Sequence, residues 1–475
     1  MRTFETIKYG AIALATTAAV SQVAFALNPV VQTIYTADPA ALVSEDTVYL
    51  YTGHDEDNAK NFIMKDWHVF SSKDMVNWTD HGSPLSLKTF EWVKDNAWAG
   101  QAIERDGKFY WYVPMEQKTG GMAIGVAVSD SPIGPFKDAL GRPLVSDGFG
   151  DIDPTVFIDD NGQAYLAWGN PTYKYVKLNK DMISYDTTVG DKGVFRGPMT
   201  IEAFGKRPGN NPPERLTSYE EAPWLYKRNG LYYLFHAGGP VPENLSYSTG
   251  KSVEGPWKYG GVFMPTQGGS FTNHPGVIDF KGKTYLFYHD GGLPGGGGFT
   301  RSVCVDELKF NPDGSITPFN MTREGPAPVA TLDPYIRNEA ETIAWTASIA
   351  PESGKPGGVE TEPSSQGGMA VHDIDNDDYI EVKNLDFGSL GAATFNASVA
   401  CDTKIRATKP SAIELHLDSK GGSLIGTLSV SYTHGEWKIE STSVIGATGV
   451  HDLFLTFKGD PAGNLFKFDF WKFGR

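Results

Sequence analysis

A fixed internal repeat is the feature that most constrains this chain. Five segments share one pattern, a turn residue followed by an aromatic, β-rich run: 46–51, 107–112, 162–167, 230–235 and 282–287. Each reads as a strand leaving a hairpin. Their central tyrosines, Tyr49, Tyr110, Tyr165, Tyr233 and Tyr285, stand 52 to 68 residues apart. About eleven or twelve residues before each tyrosine comes a second element: Asp38-Pro39, Trp98-Ala99, Asp153-Pro154, Glu221-Ala222-Pro223 and His274-Pro275. A third element closes three of the units, at 71–78, 128–136 and 247–257; the last two run from serines into a Gly-Pro-aromatic turn. Repeats of this length with about four strands each and no helical period predict blades of a β-propeller, five of them. An array of β-sandwiches would explain the strands but not the recurring offset.

In a propeller the first strand of each blade lines the central channel. Equivalent positions then converge, which places Asp38, Trp98, Asp153, Glu221 and His274 in one ring. A lone Asp or Glu is usually a solvated surface group, and Asp-Pro is ordinary turn chemistry. Carboxyls inside a crowded channel are costly unless used. Converging carboxylates drive each other's pKa values apart, which sorts them into acid and base. A metal site of hard oxygens would leave Trp98 unexplained, whereas an aromatic rim offers a stacking face for a sugar. Acids plus an aromatic point to glycoside hydrolysis.

Charge and composition narrow the partners. A formal charge of −16 disfavours phosphate backbones and anionic lipid, so neither nucleic acid nor a membrane is an expected partner. Residues 1–26 begin with Arg2 and Lys8, run apolar, and end in Ala24-Phe25-Ala26. This reads as a secretory signal peptide, predicting a secreted or periplasmic, monomeric product. The two cysteines, Cys304 and Cys401, are too few for a disulfide framework and are expected as free buried thiols.

The segments 36–40, 151–157 and 220–225 resemble the three acidic motifs of glycoside hydrolase family 43. Further matches at 51–55, 75–82 and 301–303 resemble its arabinoxylan arabinofuranohydrolases. The resemblance implies an inverting enzyme in which Asp38 is the general base, Glu221 the general acid, and Asp153 the group that holds and tunes the acid. Glu220 competes for the acid role; Glu221 is preferred because it directly precedes the small-residue–Pro step. His274 matches the family's channel histidine, often near a bound calcium, against the alternative of a satisfied core histidine. Trp98, Trp168, His274 and Arg301 are the candidate substrate contacts. The implied activity is release of α-L-arabinofuranosyl side chains from arabinoxylan or its oligosaccharides. The alternatives are a β-xylosidase or an arabinan-cleaving enzyme of the same family, or a non-catalytic glycan-binding protein.

The repeat ends near residue 325, giving a first domain over 27–325. A Pro-rich linker follows at 326–334. Residues 335–475 show short alternating runs, as in 411–417 and 452–457, which predict a β-sandwich of jelly-roll type. Pieces of it, among them 339–341, 377–381 and 468–471, resemble carbohydrate-binding module family 6. That resemblance implies a structural Ca2+ held by Glu339, Glu341 and Asp469, hard oxygens drawn from both chain ends. It also places Trp437 in a sugar cleft. Asp373 and Lys467 stand where the family has an aromatic and an Asn, so this domain either binds sugar elsewhere or chiefly buttresses the first.

Overall fold

The computed structural model describes residues 28–348, 357–402, 410–461 and 463–475. The signal-peptide segment lies outside them. The protein is all-β: among the described residues the helical elements are one four-residue α-helix, Ile201–Phe204, and two 3-10 turns.

Five separate antiparallel sheets follow one another through the first two-thirds of the chain. Their first strands are Thr36–Ser44, Gln101–Arg105, Thr155–Ile158, Tyr219–Arg228 and Gly276–Phe280. Each turns by a tight hairpin into a second strand that carries the repeated tyrosine: Thr47–His54, Lys108–Gln117, Ala164–Trp168, Leu231–Gly238 and Lys283–Asp290. The serine-rich third elements connect third to fourth strands, as between Asn244–Gly250 and Lys258–Met264. The second strands have both faces covered, and Ala164–Trp168 is buried at every position. The first strands neighbour one another in cyclic order, the fifth lying against the first.

The chain ends of this region are stitched together. Val30 donates its N–H to the Val303 carbonyl at 2.8 Å. The Asn28 side chain donates to the Val305 carbonyl at 3.0 Å and accepts from the Val305 N–H at 3.0 Å. Both partners lie on Ser302–Glu307, the third strand of the fifth sheet.

The C-terminal part forms two further sheets around one core. One contains Thr394–Ala400 and Lys467–Gly474, the other Tyr379–Asp386, Val450–Lys458 and Ser411–Leu417. Trp471, Phe395, Phe473, Leu415 and Leu455 fill the space between them. The strand Thr342–Ile343 does not join either sheet. It pairs with Trp78–Asp80 and extends the first sheet of the N-terminal region. Asn77 strengthens this junction: its side chain donates to the Lys383 carbonyl at 2.9 Å and accepts the Lys383 N–H at 2.8 Å. Cys304 and Cys401 are both buried, as expected.

Candidate active site

Two of the three sequence-selected acids sit at breaks in strand regularity, and Asp153 lies just ahead of the strand Thr155–Ile158. In the first sheet the register slips between Ala37 and Ala40, so Asp38 and Pro39 form a bulge. In the fourth it slips between Glu221 and Trp224, around Ala222-Pro223. Asp38 and Asp153 adopt φ of 52° and 57°, and Ala222 adopts 53°. The left-handed region is tolerable for Asp but disfavoured for Ala. Proline at the next position prevents ladder pairing there. The result is a backbone that turns each carboxyl out of the strand alternation and toward its neighbours.

Asp38 is 7% exposed and sits in a tight cage. Arg301 Nη1 donates to its Oδ1 at 2.9 Å. The Asp38 backbone N–H donates to His289 Nδ1 at 3.2 Å, and His289 Nε2 lies 2.9 Å from the Thr272 carbonyl. These two contacts specify the tautomer of His289, with the proton on Nε2. Burial pushes the Asp38 carboxyl up to about 6; Arg301 opposes the rise and Asp55 adds to it. Arg301 is itself gripped by Asp55, whose carboxylate accepts from Nε and Nη2, each at 2.9 Å, and from the Arg301 backbone N–H at 2.9 Å. Such a fork fixes the guanidinium in plane and in register with the acid behind it.

Asp153 accepts the Ala222 N–H at 3.0 Å, a bond that ties it to the residue after Glu221. Burial, then the charges of Glu221 and Asp38, hold its carboxyl well above the ordinary range. Glu221 is also raised, first by burial, while a 2.6 Å hydrogen bond from the Asn170 amide pulls the other way. Three mutually repelling carboxyls in a dry site cannot all ionise. Mutual repulsion therefore favours protonation of at least one of them.

Glu220 is excluded from this group by its partners. It is buried between Arg207 and Arg215, both ion-paired to it. Arg215 Nη2 also donates to Asn170 Oδ1 at 3.3 Å, so Glu220 orients the amide that contacts Glu221.

The substrate-contact candidates divide. Trp98 is half-buried and donates from its indole to the Phe62 carbonyl at 3.2 Å. Phe62 in turn packs edge-on against Trp98, Phe271 and Phe299, and its ring lies 5.0 Å from the Arg301 guanidinium. This half-buried aromatic cluster beside Asp38 offers the apolar face anticipated from Trp98 alone. His274 is 7% exposed, with Nδ1 3.9 Å from Asp38 Oδ1; burial and Arg301 depress it to about 3, so it is neutral. Arg301 reaches the site, but its guanidinium is committed to Asp38 and Asp55. Trp168 requires correction. It is fully buried, its indole N–H bonds to Asp151 at 2.8 Å, and it presents no face to a sugar. No local pattern singles out Asp55, Phe62, Asn170, Phe271, His289 or Phe299. Only 51–55, quoted for its family likeness, contained one of them.

The implied ions meet different surroundings. Glu341 is buried with Oε2 lacking a hydrogen-bond partner, and burial with the nearby Glu339, Asp80 and Asp469 pushes it up to about 9. Those are hard oxygen donors of the kind Ca2+ takes, although Glu339, Glu341 and Asp469 do not converge into a three-ligand group among the described residues. Arg337 bonds both oxygens of Glu339, each at 2.7 Å, and Asp469 at 3.3 Å, so an ion would compete with it. Around His274 the fit is poor: no group of three ligands is found there among the described residues, and Arg301 already fills the cation position beside Asp38. In the C-terminal region Trp437, Asp373 and Lys467 do share a cleft, of ≈ 540 Å³. Lys467 is ion-paired to Glu362 within it.

The comparisons with known proteins agree with this geometry. The profile of glycosyl hydrolases family 43 matches residues 26–316, and that of the family 6 carbohydrate binding module matches 349–475. An arabinoxylan arabinofuranohydrolase from Bacillus subtilis is 34% identical, across 94% of this chain and 92% of its own length. One from Paenibacillus polymyxa is 33% identical, across 94% of this chain and 74% of its own. A xylosidase/arabinosidase from Humicola insolens is 34% identical over 61% of this chain and 98% of its own. Among solved structures, a B. subtilis family 43 arabinoxylan arabinofuranohydrolase in complex with cellotetraose superposes with a TM-score of 0.76 at 32% identity, covering 94% of this chain and 97% of that one. With three converging acids and likeness running through both regions, the chain belongs to glycosyl hydrolases family 43 and carries a family 6 carbohydrate binding module.

Proposed function

We propose that this glycoside hydrolase is an inverting α-L-arabinofuranosidase that removes arabinofuranosyl side chains from arabinoxylan or its oligosaccharides. The observation that carries the reading is the division of labour among the buried acids. Asp38, held by Arg301, is the base that takes a proton from water. Glu221, raised by burial, is the acid that protonates the departing glycosidic oxygen. Asp153, bonded to the Ala222 N–H, fixes the backbone beside Glu221, while burial and the charges of Asp38 and Glu220 hold the Glu221 carboxyl up. Inversion needs the base and acid roughly 6.5–9.5 Å apart, with water between.

The choice of arabinofuranose rests on relatives matched along almost the whole chain, both named arabinoxylan arabinofuranohydrolases. A β-xylosidase reading is favoured by the relatives that match the first region alone. The five sheets with cyclically neighbouring first strands are read as a five-bladed propeller over 27–325, and the two C-terminal sheets as a β-sandwich over 335–475 joined by the linker 326–334. The same reading includes export after cleavage near Ala26, a monomeric state, and one structural Ca2+ at Glu339, Glu341 and Asp469. Bound there, the ion would neutralise these carboxyls; the chemistry at Asp38 and Glu221 does not pass through it.

Incubation with arabinoxylan should release arabinose first, and xylose as the first product would favour the second reading. Glu221→Gln should abolish turnover while sparing ligand binding. Early-time NMR of the product should show the inverted anomer, and a retained one would overturn the mechanism.

A further inference from the structure

Outside the acids, one cluster of side chains has the donors and geometry of a transition-metal site. His54 ends the second strand of the first sheet, and Asp66 and His68 lie on the third, Asp66–Ser72. The register pairs Gly53 with Trp67 and Thr52 with His68, which puts His54 across from Asp66. Side chains alternate along a strand, so Asp66 and His68 share one face while Trp67 and Val69 point into the core. His54 Nδ1 is 2.9 Å from Asp66 Oδ1, and His68 Nε2 is 3.8 Å from the same oxygen. All three ligand atoms lie within 4.8 Å of one another. Tetrahedral Zn2+ with bonds of about 2.0–2.2 Å sets its ligand atoms roughly 3.4 Å apart. The two observed separations straddle that value, so rotamer adjustment alone would seat an ion.

The electrostatics favour a cation there. The His68–Asp66 separation is too long for a hydrogen bond. His68 Nδ1 is buried without a hydrogen-bond partner, so no bond on that side fixes the tautomer. Burial lowers the tendency of His68 to protonate, which leaves a neutral ring beside an anionic carboxylate. Asp80 faces His68, while Glu56 and Asp55 act on His54 and the Ser83 hydroxyl bonds Asp66. His54, by contrast, is protonated more readily than usual because of Asp66, so ion binding there would release a proton. The side chains are 21%, 28% and 13% exposed, open enough for an ion and a fourth ligand from solvent.

We propose that His54, Asp66 and His68 form a binding site for a Zn2+-class divalent ion, structural in role and separate from the acids. Two imidazoles and one carboxylate select borderline ions over Ca2+. The ion would pin the end of the strand that continues into Asp55, the carboxylate that grips Arg301.

The test uses the full chain, stripped with a chelator and titrated with Zn2+ alone by calorimetry. His372→Gln serves as the control, because Glu360, His372 and Asp373 form the other three-ligand group among the described residues. The expected result is about one Zn2+ bound through this cluster per chain, weakened at least tenfold by His54→Gln and by His68→Gln and unchanged by His372→Gln. Equal affinity in wild type and His68→Gln, no binding at all, or loss only in His372→Gln would each overturn the proposal. Co2+ added to the unaltered protein gives a second readout that needs no variant. Intense visible bands of a four-coordinate imidazole site, retained in His372→Gln, support it, and the weak bands of a six-coordinate ion refute it.

Discussion

Removing the Arg301 guanidinium should move the acidic limb of the pH–rate profile upward. Asp38 stands at about 6 with Arg301 bonded to it at 2.9 Å. A hydrogen bond to a charged group contributes about 1.5–3 kcal/mol. At about 1.36 kcal/mol per unit, its loss raises the carboxyl by roughly one to two units. In Arg301→Met, Asp38 should therefore ionise near pH 7–8, by the same conversion. A base works only when deprotonated. At pH 6 the active fraction falls from about half to about 1–10%, so kcat/KM drops a further ~5- to 50-fold beyond any loss of substrate contact. That part of the loss should return as the pH is raised. Asp55→Asn is the opposing control: Asp55 raises Asp38, so its neutralisation should shift the limb downward. The assay is kcat/KM on an arabinofuranoside from about pH 4 to 9, read for free-enzyme ionisations. A limb that stays at about 6 in Arg301→Met, or that moves the same way in both variants, refutes the role assigned to this clamp. Arg301→Met should also cost about 3–5 kcal/mol of stability by leaving Asp55 buried and unpaired, so folding is confirmed first by thermal melting.

Asn170→Ala removes a hydrogen bond that favours ionised Glu221, so the alkaline limb should rise by about one to two units, with kcat lowered; an unmoved limb in the pH profile would disconnect Asn170 from the acid. Phe62→Ala should raise KM more than it lowers kcat, measured on oligosaccharides, because it removes an apolar face and no proton donor. Asn77→Ala breaks the paired bonds to Lys383 and should destabilise the protein by ~1–3 kcal/mol, seen in denaturant melts. Chelation of Ca2+ should lower the melting temperature of the C-terminal region while the rate at saturating substrate is unchanged, which differential scanning calorimetry beside an activity assay would check.

The parts legible in the sequence were those with a short-range cause. The tyrosine runs mark second strands because turn residues and β-formers are adjacent in the chain. Asp38-Pro39 and Glu221-Ala222-Pro223 announce a carboxyl beside a break in pairing, and breaks are where the structure puts them, while Asp153-Pro154 stands just ahead of its strand. Glu220 and Glu221 are neighbours with opposite fates, and only the arrival of Arg207 and Arg215 separates them. Trp168 stands among the candidate substrate contacts, yet its strand is covered on both faces. Phe62, Phe271 and Phe299 come from distant loops, and nothing local to any of them says that they meet.

The seam between Asn28–Val30 and the strand 302–307 joins residues 277 apart in the chain. The first part of this region to be synthesised is thus the last to find its partners. The ring of first strands stays open at one place until the fifth sheet exists, and closing so long a loop slows folding more than it weakens the product. A chain arrested before residue 302 lacks the partners of Asn28 and Val30. A few residues trimmed from the beginning would reopen, at its far end, a structure otherwise complete.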